Sequence, residues 1–577
     1  MNPSTHSVAL NFLQALLDRG IDRVFANAGT DFAPLIEALV DAGQRNISIP
    51  EFIVVPHENV AISMAHGYYL ATGKPAAVMV HVTVGTANAL CGLMNAARDQ
   101  APILLMAGRT PSTEHGHIGS RNGGIHWGQD SFDQGGIVRE WVKWDYELRP
   151  GQPPEDIVGR ALDIAMSEPR GPVYLCMPRE VLGDQTTTPV APMRERALGA
   201  LPAQPSAEGI EQAAEWLANA EFPLIISSSS GRDSGNLDRL VRIAERFGIA
   251  VAMPGEPGAR ELNFPTTHPL YLGQNPVDAI ARADVLVALD CEVPWWPSMS
   301  TPPAEGRLIH IAPDPFFNRY PVRGFAADLA IAGSSSLALD MLEQALTSAC
   351  TGKESLLVKR KEVFNALSAE RLAAVRALMR DAAQATPLQP AWIASCVNDI
   401  LDESTIVVNE LGVPLDFLFL STPRSYLSSS LAGGLGFGLG AAIGAKMGAS
   451  HKQVLLLVGD GSYMFGCPTA AHHTAAMHGL PTTTLVMNNA RWHAVHRSTL
   501  AMYPDGLASK EAPMPLVSLG ESPAYHDIMQ ACGGYGERVD DPAALPAALA
   551  RCLAANAAGQ SALLNLITDF QALPRAD

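Results

Sequence analysis

Val454-Leu455-Leu456-Leu457-Val458 runs without a break into Gly459-Asp460-Gly461-Ser462, and a second apolar run at 483–487 ends in Asn488-Asn489. Apolar runs of this length, bounded by turns, read as strands buried on both faces. The glycines on either side of Asp460 let the backbone turn tightly and come close to a ligand. Asp460 and Asn489 both offer oxygen ligands, the kind that Mg²⁺ takes together with phosphate oxygens. A helix starting after Gly461 points its first amides at the same anion. Gly-Asp-Gly alone describes an ordinary strand-to-loop turn with an Asx cap. A strand, GDGS, a helix, a strand and an Asn pair in that order specify far more.

The alternation of short apolar runs and amphipathic stretches extends along the chain. Residues 76–82 (AAVMVHV) and 103–107 (ILLMA) read as buried strands flanking a helix at 86–98, and 173–176 closes the first region. That βαβ order predicts a parallel sheet with helices on both faces. Residues 181–209 lack periodicity and are rich in Pro, Thr and Gly, which predicts a linker. A second α/β region has strands at 223–227, 250–253, 285–289 and 308–311, with a helical pattern ending near 349. Residues 350–390 are polar and helix-prone and read as a second connection. The third region has strands at 405–408, 453–458 and 483–487. The fold class is therefore α/β, with three doubly wound parallel-sheet domains at 1–185, 205–350 and 385–577. The length of 577 residues, at roughly 150 residues per domain, fits three or four such units.

Composition narrows the function. Hydrophobic residues at 47% against 17% charged exclude a disordered chain. A formal charge of −18 repels a polyanion, so nucleic acid is not an expected partner, although a small anion needs only a local positive site. The eight cysteines contain no CxxC pair and read as a reduced, cytoplasmic complement. There is no basic-then-apolar leader and no apolar run of membrane-spanning length, so neither a signal peptide nor a membrane partner is expected.

With these motifs the chain resembles the thiamine diphosphate (ThDP)-dependent 2-oxo-acid decarboxylase and acetolactate synthase family. The GDG…NN unit resembles that family's metal–diphosphate signature. The resemblance covers nearly the whole chain, in the order pyrimidine-binding, middle and diphosphate-binding domain. It implies Mg²⁺ held by Asp460, Asn489 and the backbone carbonyl of Arg491, with Gly461 and Ser462 at the diphosphate. A second matching stretch is 431–438 (LAGGLGFG). There Leu435 matches the apolar wedge that folds the cofactor into a V, and the Gly433 carbonyl matches the acceptor for its 4′-amino group. The third is His57-Glu58-Asn59, nine residues ahead of Gly67-Tyr68 when counted from Glu58. On residue type alone Glu58 is an acid favouring a helix dipole; the resemblance makes it the carboxyl that bonds N1′ of the pyrimidine. The implied chemistry is a thiazolium ylide that attacks a 2-oxo acid, loses CO₂ and leaves an enamine. A proton then gives an aldehyde, or an aldehyde or ketone acceptor gives a 2-hydroxy ketone.

Histidines offer the proton donors. His81 stands in a His-x-x-x-Gly-Thr-x-Asn-Ala pattern similar to the active-site segment of the benzoylformate decarboxylase branch, where acetolactate synthases carry small residues. His268, in Phe264-Pro265-Thr266-Thr267-His268-Pro269, resembles that branch's middle-domain His through a looser pattern. Thr30 lies where the branch has a substrate-contacting Ser. For each histidine a structural role is the competing reading. The adjacent His-His pair of pyruvate decarboxylases is absent, and His472-His473 reads as a helix-face feature. Gln129 is within reach of the pocket in one register. Asp290-Cys291-Glu292-Val293-Pro294-Trp295-Trp296 replaces the Arg-Phe-Asp-Asp run of FAD-binding acetolactate synthases, so no FAD is expected. The basic stretch 491–497 is either a substrate-carboxylate site or a solvated helix face.

The expectation is a ThDP- and Mg²⁺-dependent 2-oxo-acid decarboxylase with carboligase ability. The alternatives are an acetolactate-synthase-like transferase, a hydroxy-ketone lyase, or a silent regulatory subunit. A dinucleotide-dependent oxidoreductase ranks last, because no G-x-G-x-x-G with a downstream acid follows a first-region strand. The resemblance also implies a homodimer or homotetramer, with the two ends of one cofactor on different subunits; closed symmetric assembly is the general rule for such enzymes.

Overall fold

The computed structural model describes residues 6–187 and 197–569. They fall into two compact units, Met1–Pro202 with Ser430–Ala449, and Ala203–Ser429 with Ser450–Asp577.

The first unit is built on one six-stranded sheet. Its spatial order is Glu51–Val54, Arg23–Ala26, Ala76–Val80, Ile103–Arg109, Val173–Pro178 and Asp145–Glu147, and every pair is parallel. The central runs are buried on both faces, which is why they are continuously apolar. Arg23–Ala26 comes first in sequence and has its successors on opposite sides. The crevice at its carboxyl end, beside that of Ala76–Val80, is the place where such sheets hold ligands.

The helix Glu58–Thr72 is buried from Glu58 to Leu70 and stops at Gly73, whose φ of 76° is left-handed. A helix apolar all round must be covered all round. Part of its cover is Phe437–Gly448 from the 430–449 segment. The two axes approach closely because glycines face backbone. A Cβ on Gly67 would overlap the Ala441 carbonyl, and one on Gly444 would overlap that of Met64.

The second unit carries two more six-stranded parallel sheets. The middle one runs Tyr271–Gln274, Ala250–Met253, Pro223–Ser227, Val285–Leu289, Arg307–Ala312, Leu329–Ala332. The other runs Tyr426–Ser428, Thr405–Glu410, Gln453–Gly459, Thr483–Asn488, Ala562–Ile567, Tyr535–Val539. Both repeat the pattern of a first strand flanked by later strands on either side. Three doubly wound parallel sheets are thus present.

Boundaries differ from the sequence reading in three places. The helix expected at 86–98 begins at Val82 and the strand before it ends at Val80, because the Gly85 amide closes onto the His81 carbonyl at 2.7 Å. The β-branched Val82, Thr83 and Val84 are weak helix formers, and tertiary packing overrides them. Within 181–209, part of the stretch is ordered. Arg179–Gly183 is helical, Gln185–Thr186 pairs antiparallel with His6–Ser7, and a helix begins at Ala207; residues 188–196 lie outside the described ones. The 350–390 connection is mostly the 29-residue helix Glu354–Ala382. Among the described residues no helix is long and apolar enough to cross a membrane.

Candidate active site

In the first unit the candidate residues leave the sheet at one end. The turn Thr30–Phe32 follows Arg23–Ala26, Glu58 opens the helix after Glu51–Val54, and His81 caps the helix after Ala76–Val80. Glu58 is buried at the head of its helix, where its charge suits the dipole. Asn88 Nδ2 donates to its Oε2 at 3.2 Å, and no described residue donates to Oε1. A Cβ on Gly85 would stand 3.0 Å from Val80 Cβ and 3.3 Å from Glu58 Oε1, so any larger residue there would press on this carboxylate.

His81 Nδ1 lies 2.5 Å from Asp31 Oδ1. That bond holds the imidazole above the ordinary histidine range; burial opposes it, and Gln129 and Glu58 add to it. Thr30 is exposed at the start of the same turn, and its carbonyl accepts from Arg179 Nη1 at 3.5 Å. Arg179 also donates to the carbonyls of Gly119 and Ser120, which fixes the loop leading to buried His126.

The glycine-rich stretch belongs to this unit. Asn95 clasps Gly434 in both directions, accepting from its amide at 3.1 Å and donating to its carbonyl at 2.7 Å. Gly433 has φ 65°, and a Cβ there would meet nothing within 4 Å. It is glycine for its backbone, with open space in front, as a flat ring approaching its carbonyl would need. Leu435 is half-buried beside it. Asn88 and Asn95 are two turns apart on one face of the helix Val82–Arg98.

In the second unit, Asp460 follows Gln453–Gly459 at the carboxyl end of its sheet. It is 3% exposed. Its Oδ1 accepts from the Gly461 amide at 2.8 Å and its Oδ2 from the Ala490 amide at 2.7 Å. Burial pushes this carboxyl up to about 6, against those amides. The bond to Ala490 draws in the turn of Asn489, Ala490 and Arg491, where Ala490 has a left-handed φ of 53° and Asn489 Oδ1 accepts from the Arg491 amide at 3.1 Å. The three expected metal ligands are therefore adjacent. A buried carboxylate with no cationic side chain bonded to it, an amide oxygen and a carbonyl form a hard-oxygen set that fits Mg²⁺. Among the described residues no group of three or more His, Cys, Asp or Glu competes for a metal. Ser462 is buried in the first turn, and a Cβ on Gly461 would overlap the Trp492 ring. The Arg491 guanidinium pairs with Asp569 at 3.2 Å, and the helix His493–Met502 buries none of its residues.

Other expectations fare differently. His268 is taken up locally: Nε2 lies 3.2 Å from Glu245, Nδ1 accepts from the Leu270 amide, and the ring stands edge-on to Phe264. These contacts support the structural reading of His268 within the middle domain. His472 and His473 lie on the helix Pro468–Met477 as expected; His472 is on its buried face, bonded to the Tyr463 hydroxyl at 2.9 Å, with burial holding it down at about 4, and His473 is exposed. Trp295 packs edge-on against Phe325. Sequence reasoning missed Asp31, whose only signal was its place beside Thr30.

Three family models match the chain in the order of the three sheets. For thiamine pyrophosphate enzymes these are the N-terminal TPP binding domain at residues 7–137, the central domain at 210–342 and the C-terminal TPP binding domain at 414–565. A probable acetolactate synthase large subunit from Methanocaldococcus jannaschii is 25% identical, with 97% of this chain and 92% of that protein covered. Benzoylformate decarboxylase from Pseudomonas aeruginosa is 26% identical, with 85% of this chain and 87% of that protein covered. The solved structure of a thiamine diphosphate-dependent 4-hydroxybenzoylformate decarboxylase from Rhodococcus jostii RHA1 shares the fold. Its TM-score is 0.77 at 22% identity, over 98% of this chain and 100% of that one. Glu58 and His81 fall inside the first matched domain, Asp460 and Asn489 inside the last, and the chain belongs to the thiamine pyrophosphate enzyme family.

Proposed function

We propose that the protein is a ThDP- and Mg²⁺-dependent non-oxidative decarboxylase of a 2-oxo acid, and a carboligase when a second carbonyl compound takes the place of the proton. Asp460, Asn489 and the Arg491 carbonyl hold the metal, and Gly461 and Ser462 meet the diphosphate. Glu58 bonds the pyrimidine, with Gly433 and Leu435 against the rings. When bound, the coenzyme supplies the attacking carbon and the electron sink on which CO₂ leaves. The chain's own task is to exclude water and to place a proton donor.

The observation that carries this reading is His81. It caps the helix whose Asn88 holds Glu58, and its imidazole is biased toward the charged form, as a proton donor must be. The acetolactate-synthase-like transferase and the hydroxy-ketone lyase use the same cofactor residues and differ in what receives the carbon. Further parts of the proposal are a cytoplasmic homodimer or homotetramer, and a middle domain without FAD. The test is a screen of 2-oxo acids, pyruvate and benzoylformate among them, for CO₂ release and product identity. Aldehyde release that collapses in His81→Ala while ThDP binding persists supports the decarboxylase. A 2-hydroxy ketone as the main product, unaffected by His81→Ala, overturns it.

A further inference from the structure

We infer that Asp31 is the buried positioning residue of an Asp–His pair, fixing a proton on His81 Nδ1 and presenting Nε2–H as the donor to the reacting carbon. The inference rests on the decarboxylase reading for the identity of the acceptor, but the pair itself stands on geometry.

Asp31 is 3% exposed, and its one ion-pair partner among the described residues is His81. Its second oxygen lies 3.4 Å from the Val82 amide, so the carboxylate grips both the ring and the backbone that carries it. Two glycines clear the space. A Cβ on Gly29 would overlap the His81 ring, and one on Gly108 would overlap the Asp31 carboxylate. Val82, β-branched, has φ 31°. A β-branched residue in the left-handed region is strained, and strain of this kind persists where the surroundings over-determine it. Here it lies between the helix and the one side chain the helix start must aim.

The neighbours of the His81–Asp31 pair come from four elements. Asp31 on the Thr30–Phe32 turn and Glu58 on the adjoining helix favour the imidazole's charge. Gln129, after the short helix Ile125–Gly128, adds to that bias, whereas His126 on that helix is a like-charge neighbour. From the strand Ile103–Arg109 comes uncharged Gly108. With Nδ1–H committed to Asp31, Nε2 is the only ring nitrogen that can deliver a proton. In the step, the Nε2–H bond breaks and a C–H bond forms on the carbon that has lost CO₂. The neutral imidazole then recovers a proton from water, and Asp31 remains ionised throughout.

The test uses the full-length protein with ¹³Cε1-labelled histidine. The His81 resonance is identified by its loss in H81Q and followed through a pH titration, in parallel with kcat against pH. In wild type the imidazole titrates above the free-histidine range. In D31N it falls by about a unit or more, a tenfold change in the protonation constant. The alkaline limb of kcat moves down with it, while KM and ThDP affinity stay within about twofold. G108A, which displaces the carboxylate without removing it, gives the same direction if D31N proves unfolded. A His81 titration unchanged in both variants overturns the inference. A wild-type enzyme silent toward every 2-oxo acid, with the titration shift intact, supports the pair and removes only the decarboxylase reading.

Discussion

Asp460 makes a measurable demand on the metal-free protein. Its carboxyl is raised to about 6 from an ordinary 3.8 because burial disfavours the charge. For an acid the sign is unfavourable. The folded chain binds this proton more tightly than the unfolded chain does, so stability is lost as pH rises from about 3.8 to about 6 and stays lost above. The difference of about two pKa units corresponds to about 3 kcal/mol, and roughly half of it, about 1.5 kcal/mol, falls between pH 5 and 7.5. Asn at this position carries no such penalty, though it forfeits one of the two amide bonds at a cost that does not vary with pH. The assay is denaturant unfolding of metal-free wild type and D460N at pH 5 and pH 7.5. Wild type should lose about 1.5 kcal/mol relative to D460N across that interval. Mg²⁺ with ThDP should return it in wild type alone, since a cation bound to the carboxylate answers the buried charge. A wild-type-minus-variant difference that does not move with pH refutes the reasoning.

Other expectations concern packing and placement. Gly444→Ala puts a methyl into the Met64 carbonyl and should destabilise the first unit by about 1–3 kcal/mol, read as a lowered unfolding midpoint. Gly85→Ala pushes Glu58 Oε1 by a few tenths of an ångström, so kcat should fall about tenfold with little change in unfolding midpoint. His268→Ala should leave kcat within about twofold and weaken only the Glu245 and Leu270 contacts, seen as faster amide exchange around 268–271.

What the sequence disclosed followed burial. The stretches at 76–80, 103–107, 285–289 and 454–458 are covered on both faces, so each is an uninterrupted apolar run and was legible. The edge strands Asp145–Glu147, Leu329–Ala332 and Tyr535–Val539 are largely uncovered; the first and last mix polar with apolar residues, and the apolar Leu329–Ala332 is only four residues long, so none left a pattern to read. Asp460 and the Asn pair could be set beside each other because they end adjacent strands, each ending in a recognisable turn. Asp31 was not, because its partner lies 50 residues away and meets it only across two neighbouring strands. Gly29 and Gly108 carry no message until the His81 ring and the Asp31 carboxylate are in place. The His-His pair lies on a helix as read, but its sequence shows nothing of which member turns inward to a tyrosine hydroxyl.

The proposal requires a coenzyme anchored by magnesium at Asp460 and activated by Glu58. A crystal structure of the protein grown with ThDP and MgCl₂ tests it most directly. It should show the metal about 2.1 Å from oxygens of Asp460, Asn489 and the Arg491 carbonyl, with the Glu58 carboxyl hydrogen-bonded to the aminopyrimidine ring. Coenzyme density with Asp460 touching no metal, or with Glu58 turned away from that ring, would contradict it.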